Sequence, residues 1–290
     1  VTPAALRDAA LRWQAAGRRA AVVEVGAARG SVPRGTGTRM LVAEDEVLGT
    51  IGGGHLELRA IADARRLMAQ SGAEGFDTVE QQVALGPSLG QCCGGALGLR
   101  IQPLARSLPA QWALAEPRFH LQLYGAGHVG RAIAALLAGI DCRVQWIDER
   151  ESEFPVQPSP AHIERLCVEP VAAEVDAAPP GAFYLVLTHS HELDLAITQA
   201  ILQRGDFGFF GLIGSRTKRH RFEHRLLARG LPAPLIERMV CPIGLPGIAG
   251  KEPEVIAVAV VAQLLQQAGT ESPPSPPPPS AAIAPSFDLA

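Results

Sequence analysis

A chain of 290 residues, 47% of them hydrophobic, is long enough to bury one large core or two of ordinary size. Its formal net charge of -3 shows no basic excess, and aromatic residues make up only 5%, so a general nucleic-acid binder or a stacking platform for single strands is not expected. Five cysteines, an odd number in a chain this long, argue against a disulfide scaffold.

In chain order, residues 3–17 predict an amphipathic helix, and Ala20–Val25 an apolar strand. The opening residues carry Arg7, Asp8, Arg12, Arg18 and Arg19 and lack the continuous apolar core of a signal peptide. The longest apolar run, VIAVAVVAQLL, is too short to span a membrane. A cytoplasmic protein without a membrane partner is the expectation. The stretch GAARGSVPRGTGTRMLV between Gly26 and Val42 is a loop that returns the chain into a strand at Arg39–Val42, and a second turn and short strand lead to Gly52, Gly53 and Gly54. A helix over 55–69 follows, with Leu56, Ile61, Ala64 and Leu67 or Met68 inward, then strands at Val79–Leu85 and Ala96–Leu104. Residues 1–105 read as an α/β domain with glycine-rich loops, and 106–117 as a connection.

A second domain over 118–269 opens with FHLQLYGAGHVG: strand, glycine turn, helix, then a strand ending at Asp148. Gly125 permits the tight turn, Gly127 the approach of a phosphate, and Gly130 close packing of helix on strand. Asp148 stands where it would accept hydrogen bonds from a ribose. Further strands at Phe183–Thr188 and Phe209–Ile213 alternate with helices at Leu193–Arg204, Lys218–Ala228 and Pro253–Gln267. The reading is a Rossmann-like domain with a mostly parallel sheet. Residues 270–290 form a proline-rich tail.

Several stretches carry chemistry. Arg34 and Arg39 offer forked donors to an anion, and the amides of Gly52, Gly53 and Gly54 open a helix where an oxyanion would sit. Glu57 is read first as a cap or packing residue, secondly as a general acid or base. His189, His191 and Asp194 in LTHSHELD are an incomplete zinc set. Arg216 and Lys218 in GLIGSRTKRH follow a strand and suit either a solvated helix start or an anion contact. Cys92 and Cys93 in QCCGG point in different directions if the backbone is extended, which disfavours a shared structural zinc. A vicinal disulfide is geometrically awkward. The neighbouring glycine amides would favour a thiolate able to meet a soft metal; inert buried cysteines and a redox switch remain as alternatives.

Taken together, GSVPRGTGTRM, GTIGGGHLE, QCCGG, YGAGHVG, LTHSHELD, GLIGSRTKR and PIGLPGIAGKEPEVIAVAV resemble the XdhC/CoxI family of xanthine dehydrogenase accessory proteins, in family order over nearly the whole chain. The resemblance departs at Pro246 and at KEPEV, where the family more often has a PIGLD-type loop and a T-P-E-E type helix entrance. It implies a non-catalytic chaperone that binds molybdenum cofactor (molybdopterin), protects it, supports its sulfuration and aids insertion into xanthine dehydrogenase or a related molybdenum hydroxylase. It also implies a cysteine desulfurase as sulfur-donating partner. The family cysteine maps onto Cys93, with Cys92 as the neighbour, and Cys93 would contact the molybdenum. A homodimer would enclose the cofactor. The alternatives are an NAD(P)-dependent oxidoreductase using the crevice at Gly125, Gly127, Gly130 and Asp148, and an adaptor that recognises only the partner enzyme.

Overall fold

The computed structural model describes residues 1–71, 75–85 and 95–271. The chain divides into two compact units, and it first passes from one to the other between Pro117 and Arg118.

The first unit is built on a five-stranded sheet of β1 (Ala20–Arg29), β2 (Arg39–Ala43), β3 (Val47–Gly49), β4 (Val79–Ala84) and β5 (Ala96–Pro103). Its order is β3-β2-β1-β5-β4, and every neighbouring pair is antiparallel. Helix α1 (Pro3–Ala15) starts where the Thr2 hydroxyl accepts from the Ala5 amide, with Pro3 in the first turn, where its missing N–H costs nothing. The period-2 geometry of a strand then explains why AAVV shows no polar alternation. Ala20 and Val22 pack against Leu6, Ala9, Ala10 and Trp13 of α1. Ala21 and Val23 face the other way, onto Leu56, Ala60, Ala64 and Met68 of α2 (Gly54–Gln70). Both faces of the central strand are covered, so both sets must be apolar. Ala60, rather than the expected Ile61, is the fully buried α2 residue at that level.

The 106–117 stretch is folded onto this unit. The Gln14 amide nitrogen donates to the carbonyls of Leu104 and Ser107, both at 3.1 Å, and Trp112 packs against the α1 cluster.

The second sheet comprises β6 (His120–Tyr124), β7 (Arg143–Asp148), β8 (Ile163–Cys167), β9 (Phe183–Val186) and β10 (Phe209–Leu212), in the order β10-β9-β6-β7-β8. β6 pairs parallel with β9, and β9 parallel with β10. The helices are α3 (His128–Leu137), α4 (His191–Arg204), α5 (Arg216–Ala228), α6 (Ala233–Glu237) and α7 (Pro253–Glu271). From β6 the chain moves outward to β7 and β8, then returns to β6's other side at β9. The carboxyl ends of β6 and β9 therefore flank a topological switch point, where α/β sheets bind ligands. Strand β8 and helix α6 are additions to the sequence-based expectation. Helices α4 and α5 begin two residues earlier than expected, because Ser190 and Ser215 cap them by accepting from the amides of Leu193 and Lys218. No helix among the described residues is long and apolar enough to cross a membrane.

Candidate functional site

Two glycine-bearing regions, one in each unit, gather the residues singled out by the sequence. In the first unit the loop after β1 is the hub. A Cβ on Gly52 would come within 2.7 Å of Pro33, and the Arg34 Cγ lies 3.7 Å from the same point. A Cβ on Gly95 would meet the carbonyl oxygens of Arg29 at 2.5 Å and Ser31 at 2.4 Å. These approaches require glycine at both positions. The Leu85 amide donates to the Gly95 carbonyl at 2.8 Å, so the two residues that flank 86–94 are joined at this same place. Cys92 and Cys93 lie outside the described residues.

The two arginines of this region do different work. Arg39 is paired in register with Glu24 across β1 and β2, and its guanidinium donates to the Glu24 carboxylate at 2.8 Å. It also stacks over Trp112, 5.0 Å from the ring centroid. The expected anion donor is thus held by a carboxylate of its own sheet. Arg34 is exposed and has no ion pair among the described residues.

The triglycine turn is also committed. Gly52, Gly53 and Gly54 all have positive φ, and they turn the chain from Thr50 into α2. One carboxylate oxygen of Glu57 accepts from the Ile51 amide at 3.0 Å, the Gly53 amide at 3.1 Å and the Thr50 hydroxyl. The Gly52 amide donates to the Thr50 hydroxyl at 3.1 Å. An oxyanion expected at this helix start is therefore supplied by the protein itself, through a side chain that returns from the first turn.

In the second unit the glycine turn has the anticipated form. Gly125 has φ +117°, and a Cβ there would lie 2.4 Å from the Leu187 carbonyl oxygen. A Cβ on Gly130 would lie 2.0 Å from the Gly125 carbonyl oxygen, while one on Gly127 would meet nothing within 4 Å. Gly125 and Gly130 serve packing, and Gly127 faces open space. Asp148 departs from expectation. It is buried, and its two oxygens accept from the amides of Ala126 (2.7 Å) and Arg150 (3.0 Å) and from two guanidinium nitrogens of Arg150 (2.9 and 3.0 Å). A carboxylate has about four acceptor positions, and all are filled. A ribose would have to displace Arg150.

Burial alone would raise the Asp148 carboxyl; Arg150 and the two amides outweigh it and hold the group below the usual carboxylate range. A depressed native pKa contributes stability that is present above the unfolded carboxyl pKa of about 3.9 and is lost as pH falls through the native value. Urea unfolding should therefore show Asp148→Asn less stable than wild type at neutral pH. The gap should narrow as pH falls below about 4. An equal gap at both pH values would show that the carboxylate charge is not what stabilises this turn.

The LTHSHELD histidines are not brought together with Asp194. His189 reaches toward Glu149 at 3.6 Å; they follow β9 and β7, the strands on either side of β6. Asp194 is buried and accepts from the Thr188 amide (3.0 Å), the Thr188 hydroxyl (2.7 Å) and Lys218 Nζ (2.5 Å). Lys218 is thus an internal partner and not a ligand contact. No group of three or more His, Cys, Asp and Glu side chains among the described residues is arranged to hold a metal ion. Among the described cysteines, burial pushes Cys142 up to about 12 and raises Cys241. Partial desolvation and then Glu151 raise Cys167. None of these three has the lowered pKa of a reactive thiol. Sequence reasoning missed the Asp194–Lys218 and Asp148–Arg150 pairings. The acid-x-arginine spacing of the second was the available signal.

A family model described as the XdhC Rossmann domain matches residues 121–264, and one described as the XdhC and CoxI family matches residues 13–80. The chain belongs to the XdhC/CoxI family. Members of this family are in general non-catalytic accessory proteins. The chain is 31% identical over 265 residues to the uncharacterized protein YqeB of Escherichia coli (strain K12). That match covers 85% of this chain and 43% of YqeB, so the chain spans less than half the length of that relative. A crystal structure described as a xanthine dehydrogenase from Bacillus halodurans superposes with a TM-score of 0.71 at 18% identity, covering 95% of this chain and 98% of that one. At that identity the likeness establishes the fold, including the parallel sheet of the second unit.

Proposed function

We propose that this XdhC/CoxI chain binds molybdenum cofactor, protects it and delivers it to a molybdenum hydroxylase of the xanthine dehydrogenase type. The observation that carries the reading is the meeting of three separate glycine-bearing stretches. Gly52 and Gly95 both pack on the loop after β1, beside the exposed Arg34. In the sequence, Cys92 and Cys93 fall between Leu85 and Gly95, which are hydrogen-bonded to each other. The residues fit an anionic, soft-metal ligand in part. Arg34 is a cation with a forked donor set and no ion pair among the described residues, and a thiolate is the protein ligand suited to a soft metal. Arg39 and the Ile51 and Gly53 amides are already occupied by Glu24 and Glu57.

When bound, the cofactor supplies a dithiolene-held molybdenum whose oxo ligand is exchanged for sulfur. Cys93 would hold it by the metal, with Cys92 as the lesser contact, and Arg34 would neutralise its anionic groups. A cysteine desulfurase is the sulfur donor in this scheme, and a second copy of the chain would help enclose the cofactor. The domain limits that go with it are 1–105, 106–117 and 118–269, with 270–290 as tail.

Purification without oxygen from a cofactor-producing host should yield protein carrying both pterin and molybdenum. Cys93→Ala and Arg34→Ala should each lower that content by about tenfold, the scale of a lost metal ligand or charge-assisted contact. Arg39→Ala should instead reduce stability through the orphaned Glu24. Wild-type protein that carries neither pterin nor molybdenum under these conditions overturns the reading. A dinucleotide titration tests the oxidoreductase alternative, which the filled Asp148 disfavours; tight NAD(P) binding with hydride transfer would establish it.

A further inference from the structure

Helix α5 carries Arg216, Lys218, Arg219, Arg221 and Arg225 against a single acid, Glu223, in a chain whose formal net charge is -3. Two of these cations are internal. Lys218 is bound to Asp194, and Arg219 donates to Glu223 at 2.6 Å and to the Met239 carbonyl at 2.9 Å. Arg221 and Arg225 are exposed and have no carboxylate partner among the described residues. They line an open groove of about 740 Å3 together with His191, His220, His224, the buried Phe222 and the paired Lys218.

This surface is not explained by the fold. Like charges at i and i+4 work against a helix, and basic residues in the first turn oppose its dipole. Its buried apolar residues are Phe222 and Leu226, and neither Arg221 nor Arg225 is needed to cover them. The groove's imidazoles do not complete a metal site among the described residues.

We propose that this groove docks an acidic segment of a partner protein. Residues 217 to 225 extend over about 12 Å of helix, a length that matches a run of carboxylates better than one small anion. Exposed arginine forks suit carboxylates in bidentate contact. Nucleic acid is the less favoured polyanion, because the chain is net negative and the groove's aromatic ring, Phe222, is buried and offers no stacking face.

The test uses the full chain and a fluorescein-labelled deca-glutamate peptide, read by fluorescence anisotropy. Wild type should bind at low salt and release the peptide as salt rises to about 0.5 M. Arg221→Ala with Arg225→Ala should weaken binding about tenfold, while Arg59→Ala, an exposed cation on α2, should leave it unchanged. Arg221→Gln with Arg225→Gln supplies a second form that keeps helix propensity, and thermal melting checks that each variant is folded. Peptide binding that is absent, or unaffected by both double variants, overturns the proposal. So does tighter binding of an oligothymidine of equal charge, or displacement of the peptide by equimolar pyrophosphate.

Discussion

Replacing Asp194 by alanine is expected to destabilise the second unit by about 3–5 kcal/mol, the largest effect of any single side-chain removal outside the glycine turn. Lys218 is 10% exposed and Asp194 1%, so removal of the acid leaves a cation with little access to water. The Ile213 carbonyl, 2.8 Å from Lys218 Nζ, is its other partner and carries no charge. The Thr188 amide and hydroxyl lose their acceptor at the same time. The pair's value is conditional on both members. Asp194→Ala with Lys218→Met should recover most of the loss and leave a deficit of about 1–2 kcal/mol for Thr188. Denaturant unfolding of the two variants decides the matter. Equal stability of the single and double variants would show that the buried charge is not the source of the cost. The pair links the first turn of α4 to the start of α5, so the single variant should also weaken peptide binding in the groove.

The parts of the fold that were legible in the sequence are those where one segment carries its own signal. YGAGHVG contains strand, turn and helix start within seven residues, and Gly125 and Gly130 are found in the tight turn and close packing their spacing implies, while Gly127 faces open space. β1 and β2 were legible as apolar runs. Their antiparallel partnership within a sheet covered on both faces was not, because an apolar run is the same in either arrangement. β8 escaped notice because it is an edge strand in which only Ile163 is buried, so Ile-Glu-Arg-Leu-Cys has no inward face to announce. α6 is five residues long, follows Pro232 and carries Pro234 in its first turn. The site was less legible than the fold. Arg34 and Arg39 look equivalent in GSVPRGTGTRM, and only the β1–β2 register, which sets Arg39 opposite Glu24, separates a structural cation from an available one. Asp148 was expected to accept from a ribose, whereas the partners it has are Ala126 and Arg150 of its own chain.

Glu57→Ala should cost about 2 kcal/mol, since two amide donors lose a charged acceptor and one of them belongs to the fully buried Ile51. Its second consequence bears on the site. With the carboxylate gone, the Ile51 and Gly53 amides and the Thr50 hydroxyl converge on a space the size of one oxyanion, next to Pro33 and Arg34. Added phosphate should then raise the unfolding midpoint of Glu57→Ala by mass action and leave wild type nearly unmoved. Arg34→Ala in the Glu57→Ala background should reduce that gain, because the arginine is the adjacent cation with no ion pair among the described residues. If phosphate stabilises wild type as strongly as the variant, the turn already has amides available to a ligand, and the triglycine loop regains the anion-binding role that its sequence suggests. If only the variant responds, Glu57 is the loop's permanent occupant, and the proposed anionic cofactor would have to be met by exposed groups such as Arg34 instead of these amides.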